Sequence, residues 1–230
     1  MYIIKLNILI SIMGETFIVK KKNYINRRTA IASFIGFASY PSICFSDQSN
    51  DLNYMMRPHF IGSENAPIKI KEYFSLTCGH CATFHKSTLP KLKEKYIDSG
   101  KVQIEFIDYP LDRLAVIAAS LARTLPNDGY VEAINILLKK QKQWAYSNNP
   151  LEELLSISKL FGISSKKFKT ITENIPLMQK IVDKMEEESE NFKIESTPTF
   201  IINNEHKISG SLPFIEFEKK LLSFVKSQNS

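Results

Sequence analysis

Cysteine is scarce in this chain, and two of its three cysteines, Cys78 and Cys81, are separated by only two residues. They follow a stretch at 68–74 whose apolar alternation predicts a strand, and a helix is predicted to begin at Gly79. A disulfide that closes so short a loop removes little entropy from the unfolded chain, so a purely structural bridge explains the pair poorly. The spacing instead favours thiols that form and break a disulfide reversibly at a helix N-terminus.

The predicted elements around this pair follow a specific order. Strands are predicted at 68–74 and 102–107, whereas about residues 114–190 carry helical patterns only. Two further strands, at 199–202 and 206–209, flank a predicted hairpin turn and precede a last amphipathic helix. A helical block between the two halves of a small sheet predicts an α/β protein with an inserted helical subdomain.

These patterns divide the chain into five segments. Residues 1–46 are predicted to be a signal peptide, because a basic cluster precedes an 11-residue apolar stretch, Ala30–Tyr40, that is too short to span a membrane. The Arg27-Arg28 pair leaves both the general secretory and the twin-arginine routes open. The other segments are a short leader (47–65), a first sheet part (66–112), the inserted helical subdomain (113–190) and a second sheet part (191–230).

The distribution of charge argues against a nucleic-acid partner. Residues 1–46 hold six of the 30 basic side chains and one of the 24 acidic ones, so the net charge from Asp47 onward is only +1. A nucleic-acid surface needs a basic stripe on the folded body. We therefore expect no nucleic-acid partner.

The position of the cysteine pair predicts its chemistry. Cys78 at the start of a helix meets free backbone N–H groups and the positive end of the helix dipole, which favour a thiolate. Cys81 lies one turn further and is placed to resolve a mixed disulfide, while a positive charge on His80 also favours the Cys78 thiolate. A zinc site with His85 as a third ligand is the competing interpretation, but no second Cys/His pair accompanies it. We expect no metal and no cofactor, and we expect His85 to face solvent or to pack locally.

An acidic residue and a proline complete the candidate site. Glu72 is in phase with the apolar positions of its strand, where a carboxyl group is costly unless it has a partner or a role. It is interpreted either as a buried acid beneath Cys81 that relays a proton, or as a strand-end acid that reaches water or a lysine. Thr197-Pro198 directly precedes a strand, and from spacing alone an ordinary trans proline is favoured over a cis one.

Four motifs together resemble the DsbA family of bacterial thiol–disulfide oxidoreductases. They are Gly62-Ser63-Glu64-Asn65-Ala66-Pro67, Glu72-Tyr73-Phe74-Ser75, Cys78-Gly79-His80-Cys81 and Thr197-Pro198-Thr199-Phe200-Ile201-Ile202-Asn203. The resemblance covers about residues 60–225 and implies a thioredoxin-like fold with an inserted all-helical subdomain. It also implies roles for four residues: Cys78 as the exposed nucleophile, Cys81 as the buried resolving thiol, Glu72 as the buried acid and Pro198 as a cis-proline facing Cys78.

The resemblance further implies a periplasmic enzyme that introduces disulfides. Its clients are exported proteins with free thiols, and a DsbB-like membrane quinone reductase reoxidises it. The dipeptide Gly79-His80, however, is similar to that of protein disulfide isomerases, and Thr197 is similar to the residue that isomerases and reductases carry before the proline. An isomerase or reductase therefore stays open, as does a redox-inactive thioredoxin-fold chaperone. The short leader favours a monomer.

Overall fold

The fold is that of a computed structural model, which describes residues 51–126 and 129–227. The predicted signal peptide, residues 1–46, lies outside the described residues. The boundaries of the five segments stay predictions. Among the described residues, none of the helices combines the length and the apolar character that a membrane span requires.

A mixed sheet of five strands forms the centre of the described fold. The strands are β1 (Phe60–Ile61), β2 (Ile68–Phe74), β3 (Val102–Asp108), β4 (Thr199–Ile202) and β5 (His206–Ser209). Their order is β1-β3-β2-β4-β5; β2 and β3 are parallel, and the other three neighbouring pairs are antiparallel. The strand that leads to the cysteine pair, β2, is therefore the central one, and its alternate residues from Ile68 to Phe74 are buried, while Lys69 and Lys71 between them are exposed or half-buried.

Helices cover the sheet and form the inserted block. They are α1 (Leu52–Met55), α2 (Gly79–Ser87), α3 (Leu89–Leu92), α4 (Arg113–Arg123), α5 (Gly129–Lys139), α6 (Gln141–Trp144), α7 (Pro150–Ser158), α8 (Ser165–Thr172), α9 (Ile175–Phe192) and α10 (Phe214–Ser227). A π-helical turn at Lys93–Ile97 and a 3-10 turn at Lys159–Phe161 extend α3 and α7. Between β3 and β4 the described residues form helices and loops only, so the predicted α/β sheet with an inserted helical block is confirmed.

Local sequence signals set several helix ends. The side chains of Asp112, Ser164 and Asn174 each accept a hydrogen bond from a backbone N–H in the first turn of α4, α8 and α9. Helix α2 ends at Ser87, because Pro90 cannot donate the hydrogen bond that would continue it, and α3 begins with Pro90 in its first turn. Pro90 thus lies where one helix gives way to the next.

The leader contributes more to the fold than its sequence indicates. It contains the short helix α1, and the two residues of β1 add an antiparallel strand beside β3, pairing Phe60 with Glu105 and Ile61 with Ile104. A two-residue strand is too short to show the alternation that identifies strands in a sequence. The leader is therefore part of the sheet rather than a loose extension.

Candidate active site

Cys78 lies where strand β2 has ended and helix α2 begins. It is the N-cap residue of α2, with an extended backbone (φ −83°, ψ 117°). Cys78 is 8% exposed, Cys81 is 0% exposed, and both are free thiols. Cys78 is thus the more accessible of the two, but it is more covered than the exposed nucleophile that the resemblance implies.

The surroundings of Cys78 stabilise its thiolate. A hydrogen bond from the Cys81 thiol lowers the pKa of Cys78 most, whereas burial raises it; the Thr197 side chain and the backbone N–H groups of Cys81 and His80 lower it again, to about 5. These backbone donors are the N–H groups of the first helical turn that have no partner within the helix. The His80 side chain is exposed, and the role of its imidazole stays a prediction.

Cys81 has the opposite environment. Burial raises the pKa of its thiol most, the hydrogen bond and charge of Cys78 raise it further, and the Glu72 carboxyl adds to the effect. Two thiols three residues apart therefore differ in protonation near neutral pH: Cys78 is ionised and Cys81 keeps its proton.

The Thr197-Pro198 segment lies directly against Cys78, although 119 residues separate Thr197 from it in sequence. The peptide bond between Thr197 and Pro198 is cis, as the resemblance implies and contrary to the expectation from spacing. The Cys78 thiol donates a hydrogen bond to the Thr197 carbonyl oxygen at 3.4 Å. The Thr197 hydroxyl is buried with no partner in the described part of the chain, so it is free to donate to the thiolate once Cys78 has lost its proton.

Glu72 is fully buried and its partner is a histidine, not water or a lysine. Its Oε1 atom is 2.9 Å from His85 Nε2, and the His85 side chain is only 4% exposed. Of the two environments expected for His85, solvent exposure is wrong and packing inside the protein is confirmed, because α2 packs this face of the helix onto β2, where the imidazole meets the one acid of that strand's buried face. The proton-relay role of Glu72 itself stays a prediction.

Two residues of the site escape sequence reasoning. Gln141, from the inserted block, donates from its buried amide to the carbonyl oxygens of Leu76 at 2.8 Å and of Cys78 at 3.0 Å. Asp112 accepts a hydrogen bond from the Thr77 hydroxyl at 2.7 Å. Both contacts hold the turn before Cys78 through residues that are distant in sequence. The local sequence pattern around Gln141 or Asp112 does not indicate either contact.

The arrangement supplies three chemical groups in one place: a nucleophilic thiolate, a protonated thiol within hydrogen-bond reach of it, and a buried carboxyl group that acts on the second thiol. Within the described ranges, no group of three or more His, Cys, Asp or Glu side chains is arranged to hold a metal ion.

Several known proteins are similar to this chain. Residues 55–221 match the family model described as thioredoxin. A Rickettsia typhi protein provisionally named a protein-disulfide oxidoreductase is 30% identical over 162 residues, which are 70% of this chain and 57% of the relative. A Bacillus cereus protein provisionally named disulfide bond formation protein D is 27% identical over 181 residues, 76% of this chain and 83% of the relative.

A solved structure extends the comparison to three dimensions. The crystal structure of alpha-DsbA1 from Wolbachia pipientis is 29% identical, with a TM-score of 0.66 over 73% of this chain and 90% of that one. The chain spans a little over half the length of the Rickettsia relatives that it matches. The family match covers most of the described residues, and the sheet with its inserted helical block agrees with it. The chain therefore belongs to the thioredoxin family, in its DsbA-like branch.

Proposed function

We propose that this chain catalyses thiol–disulfide exchange through Cys78 and Cys81. The observation that carries the proposal is the contrast between the two thiols, one stabilised as a thiolate at the helix N-terminus and the other buried and protonated. A pair that only held the fold together would need neither an ionised first thiol nor a buried acid beside the second.

In the oxidised enzyme, the client thiolate attacks Sγ of Cys78. The Cys78–Cys81 bond breaks, its electron pair passes to Cys81, and Cys81 takes up a proton. A second client thiolate then attacks the client sulfur of the mixed disulfide, and Cys78 leaves as a thiolate. The client has lost two electrons and gained a disulfide, and the enzyme holds both electrons as a dithiol. The stability of the Cys78 thiolate favours this direction, because it makes Cys78 a good leaving group.

The direction in the cell separates two candidate functions. An oxidase is favoured by the low pKa of Cys78, whereas Gly79-His80 and Thr197 resemble isomerases. Thioredoxin, protein disulfide isomerase and DsbA lie near −270, −180 and −120 mV, so we expect a reduction potential on the order of −200 to −120 mV. Equilibration with glutathione measures it, and a value near −270 mV would identify a reductase instead.

The proposed partners follow from the same chemistry. Clients are exported proteins with free thiols, and a DsbB-like membrane quinone reductase removes the two electrons from the reduced enzyme. The signal peptide predicted at residues 1–46 supports export to the periplasm, which is kept oxidising. We propose a monomer as the working form.

Trapping of mixed disulfides tests the exchange reaction. Cys81→Ser is expected to accumulate client–Cys78 adducts, since the resolving thiol is gone, while Cys78→Ser accumulates almost none because the remaining thiol is buried and protonated. Non-reducing gels of periplasmic extracts show both. Equal trapping by the two variants would refute the assignment of roles to the two thiols, whereas client assistance that persists in Cys78→Ser would favour the redox-inactive chaperone.

A further inference from the structure

A buried acid–imidazole pair lies between Cys81 and a cavity. One carboxyl oxygen of Glu72, Oε1, is bound to His85, but the other, Oε2, is buried with no hydrogen-bond partner among the described residues. The Glu72 carboxyl acts electrostatically on Cys81. A buried polar atom without a partner is uncommon, and a role in proton transfer accounts for such an atom.

His85 continues this connection toward solvent. Its Nδ1 atom is 3.0 Å from Asn135 Oδ1 on helix α5, and both residues line a cavity of about 610 Å³ between α2 and α5. Apolar rings surround the imidazole at centroid distances of 5.9 Å: those of Phe74, Phe84 and Phe106. The imidazole is therefore the polar link between Glu72 and the cavity.

We propose that His85 is a positioning residue that acts on Cys81 through Glu72, storing the proton that Glu72 exchanges with Cys81 and recovering it from the cavity. This inference rests on the proposed exchange function and deepens it, because it assigns a source to the proton that the buried thiol needs.

The proton balance of the step is simple. When the client thiolate forms its bond to Cys78, the Cys78–Cys81 bond breaks and Cys81 becomes a buried thiolate. The Glu72–His85 pair gives it one proton and is left one proton short, and water in the cavity returns that proton. On reoxidation the direction reverses: Cys81 gives its proton to the pair as its sulfur attacks.

The surroundings of His85 allow its imidazole to hold a proton and to release it. The Glu72 carboxylate on β2 favours a protonated imidazole, and the Asn135 amide oxygen on α5 accepts from it. Burial opposes this protonation. Three lysines line the same cavity: Lys86 on α2, Lys93 after α3 and Lys139 on α5. Cys81 on the same helix completes the titratable groups near the pair. The imidazole is thus subject to a carboxylate that favours its protonated form and to burial that disfavours it, an arrangement that lets it both hold and release a proton.

The test measures the rate at which a dithiol peptide reduces the enzyme's disulfide between about pH 6 and 8, where an imidazole titrates. His85→Gln retains an amide that can donate to Glu72 but carries no transferable proton, and is expected to slow the reaction roughly tenfold to a hundredfold, within the range of general acid–base effects. His85→Ala is expected to slow it similarly and to recover with added imidazole, because the small base fits the cavity beside Glu72. A purely structural role for His85 would give no such rescue.

His59→Ala is the matched control. His59 is also buried, but its ring stacks on Tyr130 and makes no hydrogen bond to Glu72, and burial together with Arg123 and Arg57 lowers its pKa to about 3, so it stays neutral in this range. We expect a wild-type rate and no response to imidazole. If His85→Gln matches the wild-type rate across the pH range, or if imidazole does not rescue His85→Ala, the relay is wrong.

The outcomes also separate this inference from the proposed function. Absence of exchange in the wild-type enzyme would overturn the function itself. Alkylation of Cys78 reports the nucleophile independently: an unchanged alkylation rate in His85→Gln with slowed exchange supports the relay, whereas slowed alkylation would locate the effect at Cys78 and overturn it.

Discussion

Two buried carboxyl groups on the neighbouring parallel strands β2 and β3 differ in how completely they are bound. Asp108 has a partner for each oxygen: Arg123 Nε donates to Oδ2 and the Tyr130 hydroxyl donates to Oδ1 at 2.9 Å. Glu72 has one, His85, and leaves its second oxygen without a partner in the described part of the chain. Both carboxyl groups are nearly inaccessible to solvent, so burial alone does not distinguish them.

The nature of the partners explains the difference. Arginine is permanently charged, and Arg123 also donates to the carbonyl oxygen of Met55 at 3.0 Å, so the Asp108 cluster fastens the leader to the sheet and to the inserted block. Histidine gains and loses a proton near neutral pH, and the Glu72 carboxyl acts electrostatically on the Cys81 thiol. The Asp108 cluster therefore keeps its protonation state near neutral pH, whereas the Glu72–His85 pair is able to change its own.

The largest effect on the free energy of unfolding is expected when the Asp108 cluster loses its carboxylate. Asp108→Asn leaves the Arg123 charge buried without compensation, and breaking a buried ion pair in this way costs about 3–5 kcal/mol. Urea unfolding at neutral pH measures the loss. Tyr130→Phe, which removes one hydrogen bond from the same carboxylate, is the control and should cost only about 1 kcal/mol. A loss below that of the control would mean that the Asp108 cluster does not hold the fold.

A smaller effect is expected at Glu72. Glu72→Gln also breaks a buried pair, but His85 can release its proton and so avoid an uncompensated charge; we expect a loss of about 1 kcal/mol. Burial lowers the pKa of His85, yet the charge and hydrogen bond of Glu72 outweigh this and raise it overall. A raised histidine pKa gives stability that is complete below the unfolded value of about 6.5 and is lost as pH rises through the folded value.

The pH dependence therefore separates the two clusters. The difference in unfolding free energy between wild type and Glu72→Gln should shrink as pH rises above about 6.5, while the difference for Asp108→Asn should stay constant because Arg123 does not titrate there. Denaturant unfolding at several pH values checks both. A constant difference for Glu72→Gln would show that His85 keeps one protonation state throughout.

The sequence predicts the active site around Glu72 and the two cysteines better than it predicts the cluster around Asp108. Glu72 is visible because it breaks the apolar alternation of a strand, and the two cysteines are visible because their spacing at a helix start is typical of a redox-active pair. The cis bond before Pro198 is different: spacing favours trans, and only the resemblance to a family indicates cis.

The Asp108 cluster carries no such local signal in the sequence. Asp108 ends a strand and Arg123 ends a helix, positions where charged residues normally reach solvent, and they meet only because α4 packs back against β3. The partners of His85 and Gln141 are missed for the same reason, since each side chain is buried against an element that lies elsewhere in the sequence. Long-range packing, rather than local pattern, decides which polar side chains become buried.

The smallest effect is expected at Cys78 when either carboxyl group is neutralised. The pKa of Cys78 is set mainly by the Cys81 thiol, by burial, by the Thr197 side chain and by backbone donors, so Glu72→Gln and Asp108→Asn should move its midpoint from about 5 by no more than about 0.3 pH units, or ~0.4 kcal/mol. Thiolate absorbance of the reduced proteins in an acid titration measures the midpoint.

Cys81→Ala, which removes the largest favourable contribution to the Cys78 thiolate, should raise the midpoint clearly, whereas Cys81→Ser keeps a hydroxyl donor and should raise it less. If Glu72→Gln shifts the midpoint as far as Cys81→Ala does, the Glu72 carboxyl group acts on Cys78 as well as on Cys81. In that case the donors that ionise Cys78 and the Glu72–His85 pair that acts on Cys81 are not separate groups.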